Sequence, residues 1–215
     1  NSELTERKRI MEIKQLEEQF NPHFIFNVLE TLRYEIAIDA AKASDMVMAF
    51  ANLMRYSIYY GSTIVPLQTD IEYINDYLLL QKMRYNRRLN YHIDIPEELM
   101  GCKIPKLLLQ PVVENSLVHG MKDIRSIAIN ISAWKEKGQL KLCVEDNGSG
   151  IREEKLEELR KGLEREDVYR EHIGLYNSHR VVRLLYGPES GMTIESSPGN
   201  GTKVTVTLPA DMEEI

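Results

Sequence analysis

Two kinds of residue in this chain have types and spacings suited to chemistry. The first is a histidine, His23, in the run Gln19-Phe-Asn-Pro-His-Phe-Ile-Phe-Asn27. An ordinary imidazole, with a pKa of about 6.5, is largely neutral at pH 7 and carries a nucleophilic nitrogen. Pro22 removes a backbone donor and predicts a kink just ahead of the histidine, freeing the carbonyl of Glu18. Asn27 lies four residues on, on the same helix face, where it can orient the ring. By itself, a histidine among Phe20, Phe24 and Phe26 is more often a packed core side chain than a nucleophile.

The second kind is a set of four short segments in the C-terminal half. Asn115 sits in Gln110-Pro-Val-Val-Glu-Asn-Ser-Leu-Val-His-Gly120, an amide on an otherwise apolar helix. An amide oxygen suits Mg²⁺, which takes few protein ligands and completes its shell with phosphate and water. His119 follows four residues later, on the same stripe. In Val144-Glu-Asp146-Asn-Gly148-Ser-Gly150 a strand ends in a carboxylate able to accept from an exocyclic amine. The glycines beyond it let a flat ring approach closely. Gly174-Leu175 opens a helix, where backbone N–H groups and the dipole favour phosphate. Gly199-Asn-Gly201-Thr202 is a donor-rich loop before the last strand. Each segment alone reads equally well as a turn or a helix end.

The elements that hold these segments follow from periodicity. Ile10, Ile13, Leu16 and Phe20 predict one helix over 3–38, kinked at Pro22, and amphipathic helices follow over 42–60 and 68–86. Residues 1–88 carry no strand signal and read as a helical module. Alternation at Tyr91, Ile93 and Ile95 predicts a strand ended by Pro96. A helix is expected from Pro105 to Gly120. A strand through Ile127–Ala133, a turn over 135–138 and a strand through Leu140–Val144 come next. Residues 151–173 are charged and weakly patterned, and long for a plain connection. A helix over 174–186 and strands over 192–196 and 203–208 complete an α+β unit, residues 89–215.

Composition narrows the setting. With 43% hydrophobic and 28% charged residues, the chain can bury a core without staples. A net charge of −6 argues against a duplex-binding protein and for no nucleic-acid partner. Cys102 and Cys143 fit neither a disulfide framework nor a metal site and suit a reducing compartment. No apolar run reaches the roughly 18 residues that span a bilayer, so no direct membrane contact is expected. The chain opens on Asn1 rather than Met, which reads as a processed or excised segment.

Taken in order, an Asn-bearing helix, a strand with Asp-x-Gly-x-Gly, a charged insert, Gly-Leu on a helix and Gly-x-Gly-Thr before a strand resemble the ATP-binding boxes of the GHKL superfamily over residues 89–210. The N-terminal half resembles the LytS/YesM-type sensor histidine kinases, in the run around His23, in Leu53-Met-Arg55-Tyr56 and in Tyr77-Leu-Leu-Leu-Gln81-Lys-Met-Arg84-Tyr. The resemblance implies a helical dimerisation and histidine phosphotransfer module over 1–88, then a Bergerat-type α/β sandwich over 89–215. It implies ATP and Mg²⁺ as cofactors, with Asn115 as metal ligand, and His23 as phosphoacceptor with Asn27 beside it. Asn115, His119, Asp146, Gly148, Gly150, Gly174, Leu175, Gly199, Gly201 and Thr202 are then the nucleotide site. It further implies a homodimer, an Asp of a response-regulator receiver domain as partner, and a cytoplasmic fragment of a membrane-anchored bacterial protein.

Three positions depart from the pattern: Val118 stands where Lys is common, His172 replaces a Gly, and Val181 stands where Arg is common. They keep open the alternative of a catalytically weak or silent dimeric GHKL scaffold. An ATP-hydrolysing machine is disfavoured, because the position four residues before Asn115, where such enzymes keep a basic Glu, is Pro111. The base that would serve His23 is unassigned.

Overall fold

The computed structural model describes residues 22–59, 62–122, 124–165 and 173–210. The expected helix over 3–21, with its kink, and the His172 departure lie outside them. Helix α1 (Pro22–Ile38) and helix α2 (Ala40–Tyr59) pack on each other, and α2 packs on helix α3 (Leu67–Tyr85). Val28, Met46, Leu53, Ile74 and Leu78 form the seam between them.

A three-residue strand, β1 (Ile64–Pro66), precedes α3 and pairs antiparallel with β3 (Lys103–Pro105). The helical reading of residues 1–88 missed it, because Ile64-Val65 is too short to show alternation. Helix α4 (Gln110–Asn115) starts five residues later than expected. Pro105 ends β3 instead, and Pro111 supplies the proline of the first turn, where a missing N–H leaves no bond unmade. Beyond Asn115 the helix continues as a π-type turn, Ser116–Gly120.

Five strands form the main sheet in the order β2-β4-β5-β7-β6, namely β2 (Leu89–Asp94), β4 (Ile127–Glu136), β5 (Gln139–Asp146), β6 (Gly191–Ser196) and β7 (Thr202–Pro209). Among the described strands only β2 and β4 run parallel. Lys137 and Gly138, both at positive φ, close the β4–β5 hairpin in the two-residue geometry that matches strand twist.

Register aligns the apolar positions into rows across the sheet. Ile131, Val144, Val204 and Ile194 form one; Ala133, Leu142, Val206 and Met192 form the next. These side chains share one face, buried beneath the helices. Period-2 alternation carries that face on to Asp146, opposite Thr202, at the end of β5. The sequence thus places one carboxylate at the edge of an apolar floor.

The charged insert is partly ordered: helix α5 spans Glu153–Arg165. Leu156, Leu159 and Leu163 are buried, at the i, i+3, i+7 spacing of a single stripe. The Arg160 guanidinium donates to the Ile194 carbonyl from Nε at 3.2 Å and from a terminal nitrogen at 2.9 Å, tying α5 to β6. Helix α6 (Ile173–Tyr186) covers β6 and β7 and touches α4. The fold is a helical N-terminal part followed by a helix-backed sheet.

Candidate active site

A cavity of about 490 Å³ lies between α4 with its following turn, the ends of β5 to β7, and α5. That is the size of a small-molecule site. Asn115, His119, Asp146, Gly150, Leu175 and Thr202 line it. Val112, Leu159, Ile194 and Val204 give apolar wall, and Lys122, Arg152 and Lys155 bring positive charge. Lys122, Arg152, Lys155 and Ser116 escaped sequence reasoning. The three cations lie beside the motifs rather than in them.

Asp146 is 4% exposed. Its Oδ2 accepts from the Ser116 hydroxyl at 2.7 Å and its Oδ1 from the Gly148 N–H at 2.8 Å. Burial raises its pKa, and the bonds from Ser116, Gly148 and Thr202 oppose that rise. Two fixed donors aim the carboxylate, and its remaining lone pairs can accept from a ligand amine.

The glycines serve close packing around this group. A Cβ on Gly148 would stand 2.5 Å from the Cα of Gly120 and 2.6 Å from Asp146 Oδ1, so any side chain would push the Asp146 loop off the α4 turn. Gly201, at φ 73°, would drive a Cβ into the Asp146 carbonyl. Gly199 donates to the Ser149 carbonyl at 2.8 Å, and Gly174 packs against Pro111. Gly148, Gly174, Gly199 and Gly201 shape the site from behind its wall.

Among the described residues, no group of three or more His, Cys, Asp or Glu could hold a metal by itself. The donor set is a single amide, Asn115, on a wall beside cationic groups. That fits Mg²⁺ arriving with a polyphosphate, the ion's other ligands being phosphate oxygens and water.

His23 and Asn27 stand apart from the cavity, on α1. Asn27 Nδ2 lies 3.1 Å from His23 Nδ1. An amide offers both a donor and an acceptor, so after a half-turn Asn27 can hold either imidazole tautomer. The aromatic neighbours do not pack His23 into a core on the described side. His23 is exposed, Phe26 is 68% exposed, and Phe24 turns inward against Tyr77, ring centroids 5.0 Å apart. Helix spacing accounts for Phe24, whose i+1 position points away from the His23 face; Phe26, at i+3, borders that face and is itself open to water.

Glu114, next to Asn115, faces away from the cavity. Gln110 Nε2 donates to it at 2.9 Å, and burial raises its pKa. His179 is buried in the core, its Nδ1 accepting from the Met192 N–H at 2.9 Å. His92 is exposed on β2. No helix among the described residues is long and apolar enough to cross a membrane.

Residues 11–89 match the family described as "Histidine kinase", and residues 103–212 match "Histidine kinase-, DNA gyrase B-, and HSP90-like ATPase". A Staphylococcus aureus protein, the sensor protein kinase HptS, is 32% identical over 208 residues, covering 96% of this chain and 40% of that protein. This chain therefore spans less than half the length of such relatives. Among solved structures, the catalytic domain of the histidine kinase ThkA has a TM-score of 0.53 at 14% identity, over 69% of this chain and 95% of that one. That likeness concerns fold alone. The histidine kinase domain of a blue-light activated kinase from Erythrobacter litoralis has a TM-score of 0.48 at 18% identity, over 95% and 96%. The chain belongs to the histidine kinase-, DNA gyrase B- and HSP90-like ATPase family, and a histidine kinase segment precedes its ATPase domain.

Proposed function

We propose that this histidine kinase chain is the cytoplasmic catalytic part of a membrane-anchored bacterial sensor of the LytS/YesM type, and that it phosphorylates His23 with ATP. The observation that carries the reading is the pairing of two unlike sites. One is a buried, twice-anchored carboxylate in a cavity with cationic walls. The other is an exposed imidazole held at one nitrogen by an amide.

Adenine would donate its exocyclic amine to Asp146, and Lys122, Arg152 and Lys155 would face the triphosphate. Asn115 would be the protein ligand to a phosphate-borne Mg²⁺, whose charge neutralises the oxygens at transfer. A ring nitrogen of His23 attacks the γ-phosphorus, the bond from that phosphorus to the β–γ bridging oxygen breaks, and ADP leaves. The imidazole sheds its proton, and the phosphoryl group passes to an aspartate of a response-regulator receiver domain. Such transfer needs positioning and charge neutralisation more than covalent chemistry from the protein.

The helical part, residues 1–88, is proposed to pair with a second copy about a two-fold axis. Phe26, Leu29 and Ile36 on α1 and Val47 and Met48 on α2 support this, all being large, apolar and exposed. The test of the main reading is direct. Incubation with Mg²⁺ and γ-labelled ATP should place an acid-labile, alkali-stable phosphoryl group on the wild-type chain. An unlabelled wild-type protein that still binds ATP would favour the silent scaffold instead.

A further inference from the structure

Two motifs around Tyr56 and Tyr77 have no role in the site described so far, and the hydrogen bonds of one of them lead into it. Tyr56, near the end of α2, donates its hydroxyl to Asp70 Oδ1 at 2.9 Å. The same oxygen accepts the backbone N–H of Leu107 at 2.7 Å. Asp70 is fully buried, in the first turn of α3. One carboxylate oxygen thus joins α2, α3 and the segment that leads into α4.

That segment needs an anchor. Leu107 has φ 60°, a left-handed conformation that a leucine adopts only when its surroundings impose it. Lys106, one residue earlier, donates from Nζ to the Ser57 carbonyl of α2 at 3.3 Å and lies 5.3 Å from the Tyr56 ring centroid. Three residues after Leu107, Gln110 accepts from the Tyr73 hydroxyl of α3 at 3.0 Å. The start of α4 is therefore gripped by α2 and α3 at successive points. Its far side carries Val112, Asn115, Ser116 and His119 into the cavity wall.

We infer that Tyr56, Asp70 and Lys106 are positioning residues: they fix the backbone at Lys106–Leu107, and through α4 they hold Asn115 at the nucleotide, so the set of α2 governs the ATP site. The inference rests on the nucleotide reading of the cavity for its second half only. A shift or rotation of α2 that lengthens the Tyr56–Asp70 bond releases a strained residue at the root of the Asn115 helix. The helical part is thereby linked to the catalytic site by side chains as well as by the covalent chain.

The test uses Tyr56→Phe and Lys106→Met in the full 215-residue chain, with Tyr91→Phe as comparison, since the Tyr91 hydroxyl donates to Asn75 Oδ1 rather than to Asp70 or the Leu107 segment. Amide hydrogen exchange over residues 105–116 and Mg²⁺–ATP affinity are measured well below each variant's melting temperature. Losing one hydrogen bond should speed exchange at Leu107 about fivefold to tenfold and weaken ATP binding by a comparable factor. Tyr91→Phe should change neither. Exchange and affinity both at wild-type values in folded Tyr56→Phe and Lys106→Met overturn the inference. Faster exchange with unchanged affinity overturns the link to the nucleotide. If the wild type binds no ATP, the nucleotide reading fails, and exchange at residues 105–116 still decides whether the grip exists. Should Tyr56→Phe not fold, Lys106→Met decides alone.

Discussion

The two regions to which the proposed chemistry is assigned are built in opposite ways. Asp146 lies at the end of a central strand, buried, with both carboxylate oxygens already bonded and glycines packed against its backbone. His23 lies in the first turn of the first described helix, exposed, with Asn27 at one ring nitrogen. Recognition of a flat base demands a fixed acceptor in a closed wall, since a misplaced carboxylate loses its bond. A group that must meet a phosphate and then hand it to another protein needs access from outside, so its surroundings must stay open. The contrast separates affinity from reactivity, and substitutions should split the same way.

The largest effects fall on reactivity. His23→Gln keeps polarity and removes the nucleophile, so labelling from γ-labelled ATP should vanish while ATP affinity stays within about twofold. Acid-labile label on that variant would move the acceptor elsewhere, with His119 and His179 next to check. Asn115→Ala should also abolish labelling, with far-UV circular dichroism unchanged; normal labelling with Mg²⁺ would remove its role as metal ligand. Asp146→Ala comes next and acts on affinity. An unmet hydrogen bond at a buried site costs about 1–3 kcal/mol, or roughly 5- to 150-fold in Kd. GTP should bind worse than ATP to the wild type, since guanine presents an acceptor where adenine presents its amine. Equal affinity for the two nucleotides would break the assignment. Phe26→Ser should weaken self-association by about 1.5–3 kcal/mol if that side chain is buried between copies. Light scattering over a concentration series reads this, and an unchanged profile would move the interface off α1.

Much of the fold was legible because periodicity and burial coincide. Alternation along β4, β5 and β7 marked the face that register later joined into rows, and so marked Asp146 at its end. The stripes of α2 and α3 were equally plain. The misses have separate causes. Leu107-Leu108-Leu109 looked helical because an apolar run has no period of its own, and the positive φ of Leu107 depends on Asp70, 37 residues earlier. Helix α5 was hidden by its charge, although Leu156, Leu159 and Leu163 carried the signal. The cations facing the cavity come from the Lys122 turn and from the start of the insert. Which basic residues converge depends on how α5 docks on β6, and no short motif encodes that. The exposed setting of Phe26 depends on what packs against α1, which helix spacing leaves open.

The last effect lies in the joint between the two regions, at Asp70, and touches neither nucleotide nor phosphoacceptor directly. Burial raises its pKa from 3.8 to about 6, and the Leu107 N–H, the Tyr56 hydroxyl and the Leu109 backbone oppose the rise without cancelling it. In the unfolded chain this carboxyl titrates near its ordinary value. Between about pH 4 and pH 6 the folded state therefore binds more protons than the unfolded one, and stability falls as pH rises through that window. Above it the cost of the buried charge is fully present; below it the cost is gone. A rise of that size is worth at most about 3 kcal/mol. Asp146, Glu114 and Asp76 are also raised by burial and tilt the wild-type curve the same way, so the whole-protein slope does not isolate Asp70. The difference between wild type and Asp70→Asn does, because the amide keeps an oxygen for Tyr56 and Leu107 and has no charge to lose. Urea unfolding from about pH 4.5 to about pH 7.5 should show wild type losing ground to Asp70→Asn as pH rises, most steeply near about pH 5, midway between the two values, with the gap constant above about pH 7. A gap independent of pH would mean that Asp70 is ionised throughout, and the joint would then be a permanent charged clamp rather than one that acidification neutralises.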